Sequence, residues 1–252
     1  MSHIDLIIPC IEDDIPMLGL ALEGARKCVE ERIGKVFVVA PSSPAIKEAC
    51  GLLHADFVDE RVLMGFCKDD LQLPTKARKG WIYQQLIKLN GGELTKKDEY
   101  LVLDADHVLL QPHSFVMEKG YRFYTSTEYH LPYFYAIERL FGGTVRKTVQ
   151  ESFISDKMIF NRRLLEEMKA EIRQACGCPW TEAIACCCSN NSSGFSEFET
   201  YGSWLYARYP ELVHLVPDGR LRCRRHVDIR NNSYADLTEM FQQYASVTEL
   251  KK

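Results

Sequence analysis

The chain has 252 residues, 46% hydrophobic and 26% charged, with a formal net charge of -4. That balance excludes a disordered chain and argues against nucleic-acid binding through a general positive field, while leaving a local basic groove open. The length supports a core without disulfides, and the longest apolar runs are strand-sized, well short of the roughly 20 residues of a membrane span.

The N-terminus shows no secretory pattern, so a cytoplasmic protein is expected, with peripheral association at the inner membrane face left open. The chain has 10 cysteines. Scattered as Cys10, Cys28, Cys50 and Cys67, they read as reduced thiols. The denser group Cys176, Cys178, Cys186, Cys187 and Cys188 lacks regular zinc spacing and reads as a cysteine-rich apolar helix or loop.

Residues 3–9 form a short apolar run and predict a buried strand ending at Pro9. Residues 17–33 have helical spacing, with Gly34 expected as the stop. Residues 35–40 predict a second strand, 45–51 a short helix and 56–59 a third strand. Strand–helix–strand–helix–strand points to a parallel, helix-covered sheet, whose ligands bind beyond the carboxyl ends of the strands. Pro9, Cys10 and Pro41 stand at such ends. A basic loop with Lys76, Arg78 and Lys79 precedes a helix over 81–89, and residues 100–103 predict a fourth strand.

Beyond Gly120 the pattern becomes irregular. Aromatic and turn residues crowd 121–141; Tyr129, His130, Tyr133, Phe134 and Tyr135 read either as core or as a carbohydrate platform or lid. A strand over 153–160 is expected to enter a helix over 162–175. A further helix is expected over 198–209, short strands over 212–216 and 221–225, and a terminal helix over 234–247. With no repeat and no linker, one domain over 1–252 is the simplest organisation, with halves at 1–112 and 113–252.

The sharpest chemical feature is Tyr100-Leu101-Val102-Leu103-Asp104-Ala105-Asp106. Two carboxylates one residue apart at a strand end can converge on a hard cation such as Mg²⁺ or Mn²⁺, which in turn bridges phosphate oxygens. The competing reading is a pair of solvated turn aspartates.

Here the chain resembles glycosyltransferases of the GT-A fold, and more closely a bacterial group of nucleotide-diphospho-sugar transferases with unassigned substrates. The resemblance rests on 78–89 (Arg78-Lys79-Gly80-Trp81 through Gln84-Gln85 to Lys88-Leu89), Leu103-Asp104-Ala105-Asp106, 153–161 (Phe153-Ile154-Ser155-Asp156 to Phe160-Asn161) and 195–202 (Phe195-Ser196-Glu197-Phe198-Glu199 to Gly202). It spans about 4–226. It implies an α/β fold with a mostly parallel central sheet flanked by helices. It also implies a metal-dependent transferase that moves a sugar from a nucleoside-diphosphate sugar, UDP-sugar favoured, to a glycan or lipid-linked acceptor. Surface-polysaccharide synthesis follows by family analogy alone.

On that resemblance Asp104 and Asp106 would hold the divalent ion, with His226 in Arg224-Arg225-His226 completing its shell. Arg224 and Arg225 offer phosphate contacts instead. Arg78, before a helix N-terminus, is expected to face the donor diphosphate, and Pro9 and Cys10 to lie near the base. One of Gln84 and Gln85 is expected to bond across the donor cleft; Asp156 would bind donor or acceptor sugar. Trp81 is expected to pack. For an inverting transfer, the mild preference, Glu197 leads as base with Glu199 close behind. In extended backbone the two would share a side; at a helix start they would diverge by about 200°. Ser196 with Glu199 also fits a capping box.

Rival readings are a haloacid-dehalogenase-type phosphatase with Asp104 as nucleophile and a nucleotide-sugar-binding protein without turnover. The first normally opens the chain with its Asp-x-Asp, whereas about a hundred residues precede Asp104 here. An EF-hand loop from Asp104 would need glycine where Leu109 stands. A nucleotidyltransferase would want a glycine-rich phosphate loop after the first strand, where 10–14 is acidic.

Overall fold

A computed structural model describes residues 2–73, 77–188, 193–224 and 229–250. In chain order the elements are β1 (His3–Pro9), α1 (Ile15–Cys28), β2 (Arg32–Ala40), α2 (Pro44–Leu52), β3 (Asp56–Asp59), α3 (Glu60–Met64), α4 (Lys79–Asn90), β4 (Glu99–Leu103) and β5 (His107–Leu109). There follow β6 (Tyr121–Thr125), α5 (Leu131–Leu140), β7 (Lys157–Asn161), α6 (Arg162–Cys176), α7 (Trp180–Cys187), α8 (Glu197–Arg208), β8 (Val213–Pro217), β9 (Arg220–Arg224), α9 (Tyr234–Met240) and β10 (Ser246–Leu250).

The central sheet has the order β3-β2-β1-β4-β7. Its first four strands are parallel and β7 is antiparallel to β4. The last six residues of β1 and the last four of β4 are buried on both faces, which is why they read as near-continuous apolar runs rather than alternating ones. Ser43 caps α2, its Oγ accepting the Ile46 N–H, with Pro44 at the first helical position. Asn161 caps α6, its Oδ1 accepting the Leu164 N–H at 3.1 Å.

Several elements differ from the sequence expectation. α1 stops at Cys28 because Val29 turns extended and bridges His113, and Glu30 donates to the His113 carbonyl. Gly34 lies inside β2 rather than at a helix end. A Cβ there would stand 2.6 Å from Asp5 Oδ1, which accepts the Lys35 N–H where the β1–β2 register shifts. The strand expected over 153–160 is only β7, since Asp156 adopts a left-handed φ of 60° and breaks the extended run. The span 121–141 contains β6 and the helix α5, which buries Tyr133, Phe134, Ala136, Ile137 and Leu140 at helical spacing. The terminal helix ends at Met240. β10 follows and inserts between β5 and β9, burying Val247.

Most apolar side chains join one core around the central sheet. A smaller one, including Met17, Val108, Tyr234, Leu237 and Val247, lies under α1, α9 and the β5-β10-β9 sheet. α8 packs so closely on the loop before β7 that a Cβ on Gly202 would meet the Phe153 ring at 2.2 Å. No helix among the described residues is long and apolar enough to cross a membrane.

Candidate active-site cleft

Strand order reverses between β1 and β4, since β2 and β3 continue on one side and β4 opens the other. Ligands of such sheets occupy the crevice beyond the carboxyl ends at that point. Asp104 is the first residue past β4. Its N–H donates to the Asp156 carbonyl and its own carbonyl accepts the His107 N–H, each at 3.0 Å. This turn places Asp104 and Asp106 on the floor of a cleft of about 370 Å³.

α4 forms one wall, presenting Arg78, Trp81, Gln84, Gln85 and Lys88. These positions repeat every three to four residues, so they share one helical face. The N-terminus of α8 faces it. The Lys88 ammonium is buried and stands 2.5 Å from Asp104 Oδ1 and 2.6 Å from Glu197 Oε1. Burial opposes its charge, but the two carboxylates outweigh burial and raise its pKa. Burial pushes the Asp104 carboxyl up to about 6, against the pull of Lys88. Gln85 is buried, and its Oε1 accepts the Glu197 N–H at 3.0 Å, tying α4 to α8.

The other wall gathers around Asp156. Its Oδ2 meets Arg220 at 2.5 Å and accepts from Thr248 at 2.9 Å; its Oδ1 meets Arg222 at 3.4 Å. Burial would raise this carboxyl, yet the guanidinium of Arg220, then that of Arg222, hold it well below the usual carboxylate range. Arg222 also pairs with Glu128 at 2.8 Å. Arg78 donates to Ser193 Oγ at 3.1 Å and lies over the Trp81 ring, which stacks on Tyr133. Beneath this wall Lys157 is fully buried against Asp218 at 2.8 Å.

The cleft brings together Arg78, Gln84, Gln85, Asp104, Asp106, Asp156 and Glu197 from the sequence expectation. Trp81 both packs and lines it. Gln85 accepts the Glu197 N–H from α8, while Gln84 is half-buried along the wall. Pro9 and Cys10 are buried at the end of β1 and are not among its described lining residues. Glu199 does not reach the cleft. Its carboxylate accepts from Lys147 Nζ, Ser152 Oγ and the Phe153 N–H at 2.7–2.9 Å. The capping box is therefore half present: Ser196 accepts the Glu199 N–H, but the Glu199 side chain turns elsewhere. His226 and Arg225 lie outside the described residues, as does the side chain of Arg224.

Lys88, Arg222, Glu128, Asp14 and Glu249 also line the cleft and carry no sequence expectation. Lys88 had a signal, since Trp81, Gln85 and Lys88 fall on one helical face. Glu128 and Arg222 had none, because their meeting depends on the pairing of distant segments. The described lining holds seven carboxylates against the cations of Arg78, Lys88 and Arg222. Among the described residues no group of three or more His, Cys, Asp or Glu side chains takes a metal-binding arrangement. Of the late cysteines, Cys176 ends α6, Cys178 falls between the helices, Cys186 and Cys187 lie on α7 and Cys188 follows it; burial pushes Cys187 up to about 11 and Cys188 up to about 12, holding both as thiols.

The sequence matches a family of unknown function, DUF6492, over residues 1–246. No curated protein sequence matches it. Among solved structures, apo mouse xyloside xylosyltransferase 1 is similar at 14% identity and a TM-score of 0.54, covering 98% of this chain and 97% of that one. The apo WbbM bifunctional glycosyltransferase is similar at 9% identity and a TM-score of 0.54, over 100% of this chain and 46% of that one. An active-site mutant of LgtC is similar at 12% identity and a TM-score of 0.50, over 99% and 88%. The fold is thus the GT-A fold of these glycosyltransferases, with its mostly parallel sheet flanked by helices.

Proposed function

The chain belongs to DUF6492, a family of unknown function, and we propose that it is a glycosyltransferase moving a sugar from a nucleoside-diphosphate donor, a UDP-sugar foremost, to a glycan or lipid-linked acceptor. The observation that carries this reading is the cleft at the strand-order reversal, where Asp104 and Asp106 face Glu197 and the Asp156–Arg222 wall.

An excess of carboxylates repels a diphosphate unless a cation intervenes. Asp104 and Asp106 fit a Mg²⁺ or Mn²⁺ ion: two hard carboxylates at a strand end suffice when phosphate oxygens and water fill the other positions, so no protein cage is needed. When bound, the ion would supply Lewis-acid stabilisation of the departing diphosphate. Arg78 and Arg222 offer guanidinium forks to phosphate oxygens from the two walls. Asp156, fixed by its arginines, offers a carboxylate to sugar hydroxyls.

Glu197 is the base, since it faces the cleft and Glu199 does not. The acceptor oxygen bonds to the anomeric carbon as that carbon's bond to the diphosphate oxygen breaks, the electron pair leaving with the diphosphate. The hydroxyl proton passes to Glu197. Lys88 remains paired with Asp104 as Glu197 is discharged, so the buried ammonium is never left alone. A base on the acceptor hydroxyl suits an inverting displacement.

Calorimetric titration with UDP, GDP, CDP and CMP, each with and without Mn²⁺, tests the reading. One diphosphate should bind in a metal-dependent way, and Asp104→Asn should abolish that binding. A protein that binds none of the four would overturn the donor assignment.

A further inference from the structure

α5 and the residues just before it carry aromatics on two faces. Tyr133 points into the cleft against Trp81, whereas Tyr129 and Tyr135 are 69% and 57% exposed. With Leu131 they line a second groove of about 540 Å³, whose floor is residues 147–150.

The groove is built rather than incidental. Phe134 meets Tyr129 edge-on at 4.9 Å, and Lys147 Nζ lies 4.9 Å over the Phe134 ring. The buried Glu199 carboxylate then fixes Lys147, Ser152 and the Phe153 N–H, so the floor is clamped from below. The groove adjoins the cleft, since Tyr133 lines the cleft and the next residue of α5, Phe134, lines the groove. Glu128 lines the cleft, and its chain neighbour Tyr129 lines the groove.

Aromatic faces beside Glu138, Thr148 and Gln150 match a ligand with apolar C–H faces and hydroxyl edges. That is the chemistry of a pyranose. A membrane would want a convex apolar surface with free cations, whereas this surface is concave and its lysine is already paired with Glu199.

We propose that the α5 groove binds the outer sugars of an extended oligosaccharide acceptor whose terminal hydroxyl enters the cleft beside Glu128. The inference rests on reading the cleft as a site of sugar transfer. It makes the acceptor a chain of sugars rather than a single one.

Binding of an array of defined oligosaccharides and the corresponding monosaccharides is measured for the wild type, Tyr129→Ala, Tyr135→Ala and the double variant. The UDP–Mn²⁺ titration is repeated on the same preparations, and thermal melts check the fold. The wild type should hold at least one oligosaccharide and none of the monosaccharides comparably. Each single variant should weaken that binding about tenfold, and the double variant should lose it, with the UDP titration unchanged. Retained binding in the double variant, no oligosaccharide bound, or tyrosine-dependent binding to anionic-lipid vesicles instead of sugars each overturns the groove. Tyrosine-dependent oligosaccharide binding without nucleotide binding keeps the groove and sinks the donor reading; nucleotide binding without oligosaccharide binding does the reverse.

Discussion

Lys88 lies in a helix as a lysine that solvent should claim, yet its ammonium touches two carboxylates and is buried. Removing one member of a buried ion cluster leaves the others uncompensated, which costs about 3–5 kcal/mol. Lys88→Met should therefore lower the unfolding free energy by that much, read from the urea midpoint and slope, and Lys88→Met with Glu197→Gln should recover part of the loss, read as a double-mutant cycle. Equal melts for wild type and Lys88→Met would show the cluster to be energetically idle. The same residue marks the limit of what could be read beforehand. Asp104, Asp106, Asp156, Glu197 and Arg78 were legible because each follows or precedes a regular element where side chains reach a ligand crevice. Helical spacing places Lys88 on the cleft face of α4, but not its burial, because a helical lysine is ordinarily a solvated one, and only the approach of α8 makes it otherwise.

At the first turn of α8 two glutamates two residues apart point to different tasks. Glu197 faces the cleft, and Glu199 clamps the segment before β7. Helical divergence of about 200° makes this unavoidable once Ser196 starts the helix. The two conservative variants should then separate. Glu197→Gln should keep donor binding and remove transfer. Glu199→Gln leaves Lys147 without its counter-charge and should lower stability by about 1–3 kcal/mol, with donor affinity unchanged. Transfer lost in Glu199→Gln at full stability would reverse the assignment. Farther along α8, Gly202→Ala drives a Cβ into Phe153 and should destabilise by about 1–3 kcal/mol in chemical denaturation. Elements were legible where their partners are near in sequence, as in β1, α2 and β3. They were missed where a distant strand decides, as when β10 takes the place of a helix end between β5 and β9.

On the scale of the whole molecule, the parallel half of the sheet follows from the alternating pattern of the first hundred residues, while the second half is held to it by contacts no local pattern announces. His113 is one such tie. Its N–H donates to the Cys28 carbonyl at the end of α1, and its carbonyl accepts from Glu30. Its Nδ1 lies 2.7 Å from the Gln111 carbonyl, which can only accept, so Nδ1 carries the proton and Nε2 is bare. The ring sits against Phe115 and Tyr124, and burial there pushes its pKa down to about 4. The unfolded chain protonates this histidine near its ordinary value of 6.5, so between pH 6.5 and about 4 the unfolded state binds more protons than the folded one. Stability therefore falls as pH falls through that window, by about 3 kcal/mol from His113 in full. The burial of His107 acts with the same sign. Asp156 is separate: its stabilisation is present above the ordinary carboxyl value of 3.8 and is lost only as pH falls below it. Asp104 opposes the two histidines: between its raised value of about 6 and the ordinary 3.8 the folded state binds the extra proton, so it adds stability as pH falls there. In denaturant melts from neutrality to about pH 4, the midpoint of His113→Gln should therefore fall less, or rise more, than that of the wild type. An unchanged slope in that variant would mean that the His113 ring takes up its proton while still packed between Phe115 and Tyr124.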